Sequence, residues 1–219
     1  MTLSDLLPKL HYPTRLEKLA DGWVHGVGLV VFSLGVLTLL GLAIWQGGFG
    51  LAGVVAIYGV CLITMIACSM AYNMVENAER KALLRRFDHA AIFLMIAGSY
   101  TPFTTQRFEG GWAVGMTAAV WGVAAFGVIG KLFFPKLPKW LWLGLYLGLG
   151  WMVIAAFQPL LQTVSLAAVI LIAVGGLIYT IGVPFYTSNL PYRRAIWHGF
   201  VMVAAGAHYA AVLTGVVFA

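Results

Sequence analysis

Charge is what this sequence has least of: Asp, Glu, Lys and Arg make up 9% of its 219 residues, against about 25% in soluble domains. The apolar share is 62%, where soluble chains hold roughly 45–50%. Together these exclude a soluble globular protein and leave a membrane protein. A net charge of +6 would suggest nucleic acid in a soluble chain; here membrane topology accounts for it, and no nucleic-acid partner is expected. Cysteine is nearly absent. Cys61 and Cys68 lie seven residues apart in one apolar segment, about 10 Å along a helix and beyond disulfide reach, so they read as reduced packing residues. The stretch from Met1 to Asp21 carries Lys9, Arg15 and Lys18 but no small-residue cleavage site, so it is expected to stay on the chain rather than act as a signal peptide. Internal repeats, low-complexity tracts, Gly-x-Ser-x-Gly and His-Glu-x-x-His are all missing, and no hydrolase triad is legible.

What is present is a series of apolar runs. A helix crosses a bilayer in about 20 mostly apolar residues, and the runs give seven spans: 22–46, 50–74, 87–105, 112–130, 139–157, 165–184 and 195–218. The expected fold is all-α, a seven-transmembrane-helix bundle forming one integral membrane domain over 1–219, with 1–21 as an N-terminal segment. Turn formers and charges mark the boundaries: Gly47-Gly48, Glu76 to Arg86, Glu109-Gly110-Gly111, Pro135 to Pro138, Gln158-Pro159 and Ser188 to Arg194. Residues Leu3 to Leu19 are a candidate surface helix.

Basic flanks resist translocation, so their distribution orients the bundle. Lys9, Arg15, Lys18, Arg80, Lys81, Arg85, Arg86, Lys131, Lys136, Lys139, Arg193 and Arg194 fall on one face, twelve of the thirteen basic residues, with Arg107 alone opposite. The expectation is a cytoplasmic N-terminus, an outside C-terminus and residence in the plasma (inner) membrane. Trp23, Trp45, Trp112, Trp140, Trp142 and Trp197 sit near span ends, where indoles favour the interface.

Span interiors hold almost no ionisable groups, so the depth of those that exist is informative. They gather at the cytoplasmic ends: His25 in span 1, Ser69 and Asn73 in span 2, Asp88 and His89 opening span 3, Arg194 and His198 opening span 7. Ser69 and Asn73 are i,i+4, as are Arg194 and His198, so each pair shares a helical face. A polar pocket open to the cytoplasm is expected. Asp88 also reads as an anion placed at the positive end of a helix dipole, and His25 as a hydrogen-bonded interior histidine. Arg194 at a helix N-terminus opposes the dipole and should seek a carboxylate, with Asp88 the candidate. His208, ten residues beyond His198, is about 15 Å further along the helix and reads as structural; His11 reads as a solvated or headgroup histidine.

The run from Phe87 to Phe103, Phe-Asp-His-Ala-Ala-Ile-Phe-Leu-Met-Ile-Ala-Gly-Ser-Tyr-Thr-Pro-Phe, resembles the signature of the hemolysin III family, the bacterial branch of the progestin and adipoQ receptors. Glu17, His25-Gly26-Val27-Gly28, Ser69, Tyr72, Pro191-Tyr192 and Ala195-Ile196-Trp197-His198-Gly199 fit its pattern in order. The resemblance implies seven spans with the N-terminus inside, and a zinc site built from Ser-x3-His in span 2, Asp in span 3 and His-x3-His in span 7. Ser69, Asp88 and His198 match, but the span 2 histidine is Asn73 and the first span 7 histidine is Arg194. Zinc is held by three or four His, Cys or carboxylate ligands, amide oxygen is a poor substitute for imidazole, and a guanidinium cannot deprotonate. The expectation is a degenerate, metal-free site in which Arg194 neutralises Asp88 while Asn73 and His198 hydrogen-bond around them. If a metal is present, Asp88 and His198 are its ligands, with His25 and His89 as accessories.

The expected function is non-catalytic: a receptor or sensor for a lipid or apolar small molecule, or a regulator of membrane state, with membrane lipids as partners. A zinc-dependent lipid amide hydrolase is the alternative. A transporter or channel fits less well, because polar or broken-helix features near the midplane are few.

Overall fold

The structure, a computed structural model, describes residues 11–134 and 137–219. Lys9 and Lys136 of the basic face, Pro135 of one boundary and residues 3–10 of the Leu3 to Leu19 stretch lie outside the described residues.

Thr14 opens the first helix, α1 (Arg15–Met74): its hydroxyl caps the helix by accepting from the Glu17 N–H at 3.1 Å. At about 1.5 Å per residue, sixty residues in a straight rod would run about three times the thickness of a hydrocarbon core. Gly48 prevents that. Its φ of 67° and ψ of −161° lie outside the helical region, a conformation open to glycine because it lacks Cβ. The two arms fold back on each other: His25 reaches Ser69, Lys18 Nζ pairs with Glu76 Oε1 at 2.6 Å, and a Cβ on Gly59 would meet Val36. The break falls where Gly47-Gly48 marked a boundary.

Asn77 caps α2 (Ala78–Gln106) through the Arg80 N–H. Then follow α3 (Gly110–Phe133), α4 (Lys139–Gly150), a 3-10 stretch (Trp151–Ala156), α5 (Phe157–Thr163), α6 (Leu166–Thr187) and α7 (Arg193–Val212), closed by a π turn (Leu213–Val217). No strand occurs among the described residues. Five helical stretches are long and apolar enough to cross a membrane: α1, α3, Lys139–Thr163, α6 and Arg193–Val217. The exception is α2, whose second half carries Thr101 and Thr105. Their hydroxyls turn back onto the Ala97 and Thr101 carbonyls. This helix packs between α1 and α3, where Phe93 and Ala97 are fully buried, and so needs less apolar surface than a lipid-facing one.

The boundary expected at Gln158-Pro159 is absent, because both residues lie inside α5. Pro159 is the third residue of that helix, where a missing N–H costs nothing. The real irregularity is the 3-10 stretch. Its freed backbone is satisfied by Tyr100 of α2, whose hydroxyl donates to the Gly150 carbonyl at 2.8 Å and accepts from the Val153 N–H at 2.8 Å. In lipid such groups need protein partners. Glycine permits the tight approaches: a Cβ at Gly98 would lie 2.6 Å from Cys61 Cβ, joining α2 to α1.

Candidate functional site

At the end of the bundle that carries the N-terminal segment, a cavity of about 580 Å³ opens between the second arm of α1 and helices α2, α3, α4, α6 and α7. Ser69, Asn73, Asp88, His89, Arg194 and His198 line it, so six of the seven residues expected at one depth face one space; His25 does not line it. Asn73 Nδ2 donates to the Ser69 carbonyl one turn back at 3.0 Å and to Ser69 Oγ at 3.3 Å, which places both side chains on the expected face. Among the described residues six basic side chains line the cavity, Arg85, Arg86, Lys131, Lys139, Arg193 and Arg194, with Asp88 the one carboxylate. Lys131 is buried and, among the described residues, has no carboxylate within 4.0 Å. Its ammonium lies over the Trp142 ring, 4.2 Å from the centroid, a cation–π contact.

Behind the cavity wall is a second layer that sequence reasoning missed. Asp21, fully buried, accepts from His198 Nδ1–H at 2.6 Å through Oδ1 and from the Tyr12 hydroxyl through Oδ2. His25, also fully buried, donates from Nδ1–H to the Asp21 carbonyl at 2.8 Å. These acceptors assign both tautomers. Each Nε2 therefore presents a lone pair to Ser69 Oγ, His25 at 3.0 Å and His198 at 3.4 Å. The signal in the sequence was the i,i+4 spacing of Asp21 and His25, hidden because Asp21 reads as the last residue of a solvated segment.

Three expectations change. Arg194 makes no ion pair with Asp88 among the described residues. Its Nε donates instead to the His11 carbonyl at 3.0 Å, and its guanidinium sits 5.8 Å from the Tyr12 ring centroid, because His11, itself bonded to Asn73, offers it an acceptor at hydrogen-bond distance. His11 is correspondingly not free in solvent: Nε2 bonds Asn73 Oδ1 at 2.8 Å. Burial, then the Arg194 cation, pushes its imidazole down to about 4. Asp88, finally, is not at a helix N-terminus, since α2 begins ten residues earlier; its Oδ2 lies 3.9 Å from His89 Nε2. His208 Nε2 meets the Ile172 carbonyl at 3.3 Å, and the same residue lines the cavity.

The five positions that the resemblance ties to zinc do not fit that ion. Both ends of the Asn73 amide are engaged, and Arg194 brings a fixed cation to the same wall. The donor atoms that do converge among the described residues are those of Asp21, His25 and His198. Zinc bonds of about 2.0–2.2 Å would hold neighbouring tetrahedral ligands about 3.3 Å apart or more, so the 2.6 Å between Asp21 and His198 is a hydrogen bond rather than a ligand edge.

Long apolar helices around a buried polar cluster define an integral membrane protein. The chain belongs to the haemolysin III family: the profile described as Haemolysin-III related matches residues 14–209. It is similar to the Hemolysin-3 homolog of Bacillus subtilis (strain 168), 32% identical over 204 residues that cover 91% of this chain and 94% of that protein. It is similar also to Hemolysin-3 of Bacillus cereus, 32% identical over 85% of each chain, and to the human monocyte to macrophage differentiation factor, 33% identical over 71% of this chain and 67% of that one.

Proposed function

We propose that the chain crosses the membrane seven times with its N-terminus in the cytoplasm, and that its cavity is the receptor site for an amphiphile with an anionic headgroup. The two arms of α1 each supply a crossing and α2 supplies another, its polar turns hidden between neighbours. The observation that carries the binding reading is the charge of the cavity, six cations to one carboxylate. A buried, unpaired Lys131 is costly to hold without an anion. Deeper in, Met95, Ile96, Leu147, Val183 and Met202 form an apolar floor suited to a hydrocarbon chain. The site works without zinc on this reading, and His11, held by Arg194 and Asn73, is fastened to two residues of its wall.

The test is thermal unfolding of the purified chain in neutral detergent with lysophosphatidylglycerol or lysophosphatidylcholine of equal chain length. The anionic lipid should raise the midpoint at concentrations where the zwitterionic one does not, and Lys131→Gln should remove most of the difference. Equal shifts from both lipids would refute the headgroup assignment. Cysteine accessibility in sealed vesicles, with single cysteines at Glu76 and at Glu109, tests the crossings: the two should label from opposite sides.

A further inference from the structure

The cluster behind the cavity has an order that the binding reading leaves unused. Asp21 Oδ1 accepts from His198 Nδ1–H, and His198 Nε2 faces Ser69 Oγ. Carboxylate, imidazole and hydroxyl are thus in series, the roles by which a serine nucleophile is recognised whatever the fold or sequence order. Their burial is graded in the sense that chemistry needs. Asp21 is sealed from solvent, whereas Ser69 and His198 reach the cavity wall.

We propose that Ser69, with His198 as its base and Asp21 as the positioning residue, cleaves an acyl ester of the anionic amphiphile bound in the cavity; the substrate class rests on the binding reading above. Ser69 Oγ adds to the acyl carbonyl carbon as its proton passes to His198 Nε2. The ester C–O bond then breaks, His198 returns the proton to the departing alcohol oxygen, and the acyl group stays on Ser69. Water, deprotonated by His198, adds to that acyl carbon and releases the carboxylic acid with the serine restored. The products are one acid and one alcohol from one ester and one water.

Two further contacts suit this role. Asn73 Nδ2, which donates to Ser69 Oγ at 3.3 Å, can turn that N–H to the carbonyl oxygen on which negative charge develops once Ser69 has attacked, and removing such a donor elsewhere costs about 10²–10³ in rate. His25, at 3.0 Å from the same oxygen, is a second acceptor for the hydroxyl proton but does not line the cavity. The Ser69 to His198 distance of 3.4 Å is the looser one, as is common before substrate tightens a site.

The experiment uses the full chain in detergent with a long-chain alkyl fluorophosphonate, which phosphonylates activated serines, and a long-chain p-nitrophenyl ester as substrate. The expected result is a single adduct mapped to Ser69 by mass spectrometry, slowed about 100-fold or more in His198→Gln and abolished, with ester turnover, in Ser69→Ala. Asp21→Glu should retain a measurable part of the rate while Asp21→Asn loses it at an equal thermal midpoint, a difference that a merely structural carboxylate would not give. An adduct on another serine, or one on Ser69 indifferent to His198→Gln, overturns the proposal. So does no adduct on the unsubstituted chain, and if lysophosphatidylglycerol still raises its midpoint the binding reading survives alone. An adduct on Ser69 that no anionic lipid slows upholds the nucleophile and removes the headgroup assignment.

Discussion

Asp21 and His198 stand 177 residues apart in the sequence and 2.6 Å apart in the fold, fastening the last long helix to the first. The carboxylate has no exposure and serves the Tyr12 hydroxyl as well, so truncating it strands two buried donors. Asp21→Ala should lower stability by about 3–5 kcal/mol, read as a drop in the thermal midpoint of the detergent-solubilised chain. The exposed Lys18–Glu76 pair is the contrast: Glu76→Gln should leave the midpoint where it was, since such pairs contribute little.

The docking of His11 should loosen in acid. His11 ordinarily takes up its proton near 6.5, but in the fold it does so only near 4, through burial first and the Arg194 cation second, with Lys81 adding and Asp21 opposing. Between those values the unfastened segment holds more protons than the fastened one, so falling pH favours release and the docking is at full strength above 6.5. Limited proteolysis near Tyr12 should therefore be faster at pH 4.5 than at 7.5. His11→Gln, which cannot titrate, should flatten that dependence.

Zinc binding should depend on the two departures from the family pattern. Elemental analysis of the purified chain after dialysis against zinc should find less than one ion per several chains. The Asn73→His, Arg194→His double variant should bind about one, since three imidazoles and Asp88 then meet zinc's needs. Stoichiometric zinc in the unsubstituted chain would overturn the metal-free reading.

Packing predictions follow from the glycine contacts. Gly98→Ala places a methyl 2.6 Å from Cys61 Cβ, an atom tied directly to backbone, and should cost about 1–3 kcal/mol by overpacking. Gly199→Ala meets nothing within 4 Å and should be neutral or slightly stabilising. Thermal midpoints of the two variants side by side make the comparison.

Much of this fold could be read from hydropathy, because bilayer thickness fixes how long an apolar run must be. The turn at Gly47-Gly48 and the clustering of Ser69, Asn73, Asp88, His89, Arg194 and His198 were legible for that reason. Partner choice was not. Arg194 has a carboxylate on the same wall, yet bonds the His11 carbonyl because of the path residues 11–12 take, which no periodicity encodes. Asp21 went unnoticed because a charge just before an apolar run looks solvated. Only the return of α7 alongside α1 buries it. Pro159 misled in the opposite direction, since proline signals a break and here sits in a first turn that tolerates it.

The hinge at Gly48 bears on how the chain is made. With one residue turning the backbone, no polar loop separates the arms of α1 and no tether of appreciable length has to be dragged across the lipid. The arms should enter together as a preformed hairpin, the second recruited within moments of the first leaving the ribosome. Gly59 would then meet Val36 of the opposite arm before any later helix is synthesised. A residue with a Cβ at position 48 would strain the turn itself, since a φ of 67° with a ψ of −161° suits glycine, and so would impede the protein at its earliest step, biogenesis, as well as in the finished fold.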